Sequence, residues 1–206
     1  MVSETRDGRT WRIGTDAEVA WIATGTSVGR TITAAIPPVF DAYATIVLPY
    51  GGAGEEMHDR AVLGLLSEHS AGQPWWLGYL DTGADDILFP GAPMVTLYFG
   101  WHYVLVEAGP EQAATWRQAG LGSFWKGVLP NVMFPADRSW LVSTLWDDDW
   151  TCIGGSAALV GSYGLRQTET WLSLSEVNGV RSQSATRSSS SIPASCAMRS
   201  HSAGQM

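Results

Sequence analysis

Val95-Thr96-Leu97-Tyr98-Phe99-Gly100-Trp101-His102-Tyr103-Val104-Leu105-Val106-Glu107 reads as two β-rich runs closed by a turn at Gly100-Trp101. A connection this short forces the two strands to be antiparallel neighbours. The same pattern recurs downstream, where Trp140–Trp146 and Trp150–Ile153 flank Asp147-Asp148-Asp149 as a second hairpin. Two hairpins among helices predict an α+β fold, with an antiparallel or mixed sheet packed by two to four short helices, rather than a doubly wound parallel sheet.

Working outward, further strands are expected at Arg30–Ile36, halted by Pro37-Pro38, at Tyr43–Leu48, closed by Pro49, and at Trp75–Leu80. Thr15 or Asp16 caps a short helix through Ile22, with Glu18 near its positive end. Glu55–His69 has the best helical period, with Met57, Ala61, Val62, Leu65 and Leu66 as its apolar stripe. Pro110–Gln118 follows as a helix with proline in its first turn. Ser156-Ala157-Ala158-Leu159-Val160 starts as a capped helix and loses its pattern at Gly161.

The chain has 206 residues, of which 45% are apolar and 16% charged, a globular composition. Residues 1–163 carry 18 acids and 8 bases (−10), and residues 164–206 carry 2 acids and 4 bases (+2), which together give the net −8. We therefore expect a single globular domain over 1–163. Residues 164–206, rich in serine and arginine, form a largely disordered tail, because such sequence cannot bury enough apolar surface to offset its ordering entropy. The pattern break at the junction is also what a frameshifted C-terminus would produce.

The acidic body argues against nucleic acid as a partner, since neutralising phosphates needs a basic surface. No apolar stretch has the length of a membrane span, and no secretory signal is visible. Cys152 and Cys196 have neither metal-knuckle nor disulfide spacing, so a cytoplasmic protein with free thiols is expected. The four histidines do not converge, no Gly-x-Ser-x-Gly elbow or phosphate loop is present, and neither cofactor nor metal is expected.

Two acidic turns are candidate sites. Asp147 and Asp149 have the Asp-x-Asp spacing of a divalent-metal pair, but two carboxylates are too few for a dedicated cage. With Trp146 and Trp150 on either side, Trp146-Asp147-Asp148-Asp149-Trp150 suits a cationic partner instead, through ion pairs and cation–π contact. The other turn is Leu80-Asp81-Thr82-Gly83-Ala84-Asp85-Asp86-Ile87. It resembles the active-site loop of retroviral-type aspartic proteases. That resemblance implies a homodimer in which Asp81 shares a proton with its mate, Thr82 holds the loop and Gly83 lets the backbone approach. Read without it, Asp81-Thr82-Gly83 is ordinary strand-ending turn chemistry. With no catalytic set assembling elsewhere, the leading expectation is a non-catalytic acidic binding protein. Its partner would be a basic protein or a small ligand in an aromatic pocket, and the aspartic protease is the alternative.

Overall fold

The computed structural model describes residues 2–29, 31–47, 52–81, 89–117, 129–145 and 150–164, with side chains of the second helix described from residue 55 onward. Nine strands form one sheet: β1 (Val2–Arg6), β2 (Arg9–Ile13), β3 (Ala42–Val47), β4 (Trp75–Leu80), β5 (Val95–Leu97), β6 (Trp101–Ala108), β7 (Val132–Pro135), β8 (Leu141–Ser143) and β9 (Trp150–Gly155). Their order is β1-β2-β6-β4-β7-β8-β9-β3, and every pairing is antiparallel. β5 shares one edge of β6 with β2: β5 pairs with the first residues of β6 and β2 with the last ones. Among the described residues four α-helices complete the α+β fold: α1 (Asp16–Gly25), α2 (Gly52–Glu68), α3 (Pro110–Thr115) and α4 (157–164). Gly164, the first residue of the expected tail, ends α4, and residues 165–206 lie outside the described residues.

Both faces of the sheet are covered, so β4 is buried at all six positions and shows no apolar–polar alternation. Trp75, Leu77 and Tyr79 enter one core with Val62, Leu65 and Leu66 of α2, Ala113 of α3 and Leu159 and Tyr163 of α4. Trp76 and Leu80 enter the other core, with Val19 and Ile22 of α1 and Ile36. Gly78 keeps the second face flat, since a Cβ there would lie 3.1 Å from Val132 Cβ. Cys152 is buried in this second core.

Two sequence expectations are corrected. Ile32–Ala34 is a single 3₁₀ turn instead of a strand over Arg30–Ile36. Local hydrogen bonds draw the segment out of extended backbone: Ser27 N–H donates to Thr33 O, and the hydroxyls of Thr31 and Thr33 pair at 2.6 Å. On α2 the buried stripe runs through His58, Asp59, Val62, Leu65 and Leu66, while Met57 is 38% exposed. Counting back three and four positions from Val62 gives 59 and 58, so Met57 lies off the stripe despite its apolar side chain. His58 Nδ1 sits 3.2 Å from Asp59 Oδ1 in that buried setting.

Candidate functional site at one end of the sheet

The antiparallel order carries the ends of β4, β8 and β3, and the starts of β6, β7 and β9, to one end of the sheet. Leu80 lies opposite Tyr103, Gly78 opposite Val132, Val132 opposite Ser143, Ser143 opposite Cys152, and Val47 opposite Trp150. Asp81, half-exposed, continues the ladder by donating its N–H to His102 O at 2.9 Å. Asn131 is buried beside it: its Oδ1 accepts from Leu80 N–H at 3.1 Å and from Arg117 Nη1 at 2.9 Å. The Arg117 guanidinium then stacks over the Tyr79 ring, 5.4 Å from its centroid. The Tyr79 hydroxyl is buried with no hydrogen-bond partner among the described residues; burial pushes its pKa up, against the opposing pull of Arg117 and Arg6.

The β5–β6 turn stands at the same end. Tyr98 (φ 43°), Phe99 (φ 66°) and Gly100 (φ 100°) are all left-handed, and Leu97 pairs with Trp101 beyond them. The turn is thus the three residues Tyr98–Gly100, beginning two positions before the two-residue Gly100-Trp101 turn expected from the sequence. What holds two aromatic residues in a conformation suited to glycine is the buried Tyr98 side chain. Its hydroxyl donates to Ala35 O at 3.1 Å and accepts from Ser143 Oγ at 2.9 Å. Burial raises the pKa of this hydroxyl, and the Ser143 bond offsets the rise in part. With Tyr98 anchored below, Phe99 (48% exposed) and Trp101 (39%) face solvent.

Of the sequence-predicted residues, Asp81 and Trp150 come to this end, on strands separated by β7 and β8 and thus about 14 Å apart at ~4.8 Å per strand. Trp150 is half-buried at the start of β9. Thr82 and Gly83, and Trp146, Asp147, Asp148 and Asp149 at the other tip, lie outside the described residues. The described strands on either side of that tip do pair as expected, Ser143 with Cys152. Among the described residues no three His, Cys, Asp or Glu side chains are grouped to hold a metal ion, and no helix is long and apolar enough to cross a membrane.

Arg117 and Asn131 were not foreseen. Nothing local marks Arg117, which stands among Glu111, Gln112, Thr115 and Gln118, and the meeting of both residues with Leu80 depends on the β4–β7 pairing. Compared with protein-family models, with curated proteins and with solved structures, the chain matches none.

Proposed function

We propose that this chain is a non-catalytic binding or interaction protein whose contact surface is the sheet end bearing Asp81 and the Tyr98–Trp101 turn. The observation that carries the reading is the solvent-facing pair Phe99 and Trp101 on a strained turn fixed from beneath by Tyr98. Rigid exposed aromatics supply contact area at small entropic cost, and strained backbone collects at functional positions. The partner class is a basic protein. By sequence, Asp85 and Asp86 follow Asp81, and Asp147, Asp148 and Asp149 join β8 to β9, in a chain of net charge −8.

A lysine- and arginine-rich peptide titrated into the full chain, with tryptophan fluorescence as readout, tests this. Binding should weaken as salt rises. It should drop at least tenfold in the Phe99→Ala, Trp101→Ala double variant with the melting temperature unchanged, and in Asp147→Asn, Asp148→Asn, Asp149→Asn. No binding, together with robust turnover in a hydrolase panel, overturns the proposal.

A second reading, the homodimeric aspartic protease, is favoured by one observation: Asp81 follows a fully buried strand at once and is half-exposed. It requires peptide cleavage that Asp81→Asn abolishes and that a pepstatin-type inhibitor blocks. Peptide binding that survives Asp81→Asn, with no cleavage by either form, leaves only the first reading.

A further inference from the structure

The two strands that end the main path of the sheet, β1 and β3, are built differently. β1 carries Glu4 and Arg6, and charge on an edge strand is a common guard against pairing with another chain. β3, Ala42-Tyr43-Ala44-Thr45-Ile46-Val47, has no charge, no proline and no bulge. All six residues stay in unbroken register with β9. Among the described residues β3 pairs with β9 alone, and no other backbone hydrogen bond reaches it. Among the described residues its outward N–H and C=O groups meet no second strand, and Val47 beside them is 58% exposed.

We propose that β3 joins two copies of this chain by antiparallel strand pairing about a two-fold axis, making one continuous sheet. The charges select the direction. Asp41 precedes the strand, and a parallel pairing would set the two Asp41 carboxylates side by side. An antiparallel pairing moves them to opposite ends of the ladder, beyond the ~8 Å screening length at physiological salt.

The side-chain pattern selects the register. In an antiparallel sheet, opposed residues lie on the same face, so the two position numbers must sum to an even value. Centring the axis on Thr45 sets Thr45 against Thr45, Tyr43 of one copy against Val47 of the other, and Ala44 against Ile46. These are a threonine pair, an aromatic–β-branched pair and an apolar pair, all favourable across strands. The exposed Val47 is thereby covered, and Ala44 and Ile46, already packed against the α2-side core, extend that core into the partner. This interface is independent of the sheet-end site proposed above.

Sedimentation equilibrium of the full chain should give a mass twice the 22.2 kDa protomer. Association should strengthen with salt, because two bodies of net charge −8 repel each other. Thr45→Lys brings two ammonium groups together at the axis and should weaken association at least tenfold, as should Val47→Lys, with near-ultraviolet circular dichroism unchanged. Should either variant fold poorly, Thr45→Cys in a Cys152→Ala, Cys196→Ser background, which removes the thiol facing position 45 within the same chain, gives a separate readout: mild oxidation yields a covalent dimer linked through position 45. A monomer at all concentrations, a dimer unaffected by both lysine variants, or a dimer that does not cross-link at position 45 would each overturn the proposal.

Discussion

Tyr98 does two jobs in one residue: its backbone adopts a disfavoured conformation, and its hydroxyl supplies the bonds that hold it there. Tyr98→Phe would leave the Ser143 hydroxyl and the Ala35 carbonyl buried without this partner, a loss of about 1–3 kcal/mol in chemical unfolding. Phe99 tests the strain from the other side. A left-handed aromatic costs about 1–2 kcal/mol, and glycine returns roughly half of that as unfolded-state entropy. Phe99→Gly should therefore raise stability by about 0.5–1 kcal/mol while weakening peptide binding, a trade between stability and function that a thermal melt and a titration together would reveal. The aromatic residues of this turn were legible in the sequence as a hairpin. Their left-handed backbone was not, because nothing local favours it and its support comes from Ser143, 45 positions away.

At the level of elements, the start of α1 shows local sequence deciding structure. Thr15 N–H donates to Glu18 Oε2 at 2.8 Å, and Arg12 Nη2 reaches Glu18 Oε1 at 2.9 Å. Burial works against ionisation of Glu18, but the Thr15 bonds and the Arg12 charge outweigh it and hold the carboxyl below its ordinary value. Because the folded pKa is the lower one, this carboxylate contributes stability above the unfolded pKa, and the contribution disappears as pH falls through the folded pKa. Glu18→Gln should accordingly lower stability at pH 7 by about 1 kcal/mol or less, read from chemical unfolding, and converge with the parent in acid. β9 offers a packing test. A Cβ at Gly154 would stand 2.5 Å from Phe40 Cδ2 and 2.7 Å from Ile36 Cγ2, so Gly154→Ala should cost about 1–3 kcal/mol by denaturant unfolding. Cap, helix period and both hairpins could be read ahead of the structure. The β1–β2 hairpin was missing from the expected elements, although Asp7-Gly8 (φ 54° and 71°) is the strongest short-range hairpin signal in the chain. β7 was missed for another reason: four residues ending in Pro135 are too short for a period to show.

For the whole molecule, the sequence implied antiparallel strands among helices but not their order, because order rests on pairings between distant residues. Arg12 meets Glu107 and Thr45 meets Cys152, and no local pattern announces either partner. That order also bears on the two functional readings. β4 lies four strands in from β3, so a dimer joined through β3 would hold its two Asp81 residues about 40 Å apart, nine strand spacings of ~4.8 Å. A carboxylate dyad needs about 3 Å. A dimer confirmed at position 45 therefore removes the shared-proton chemistry from that assembly, and a protease would have to pair through a different surface. The pairing of β3 with β9 has one more consequence, for synthesis. β3 emerges from the ribosome about a hundred residues before β9, the strand it pairs with among the described residues, at roughly 5–20 residues per second. For several seconds the nascent chain carries an uncharged, β-rich hexapeptide ahead of its β9 partner, and the arrival of β9 closes that window. Translation stalled or cut short before residue 150 should thus yield an aggregation-prone fragment, detectable by the solubility of chains truncated at successive points.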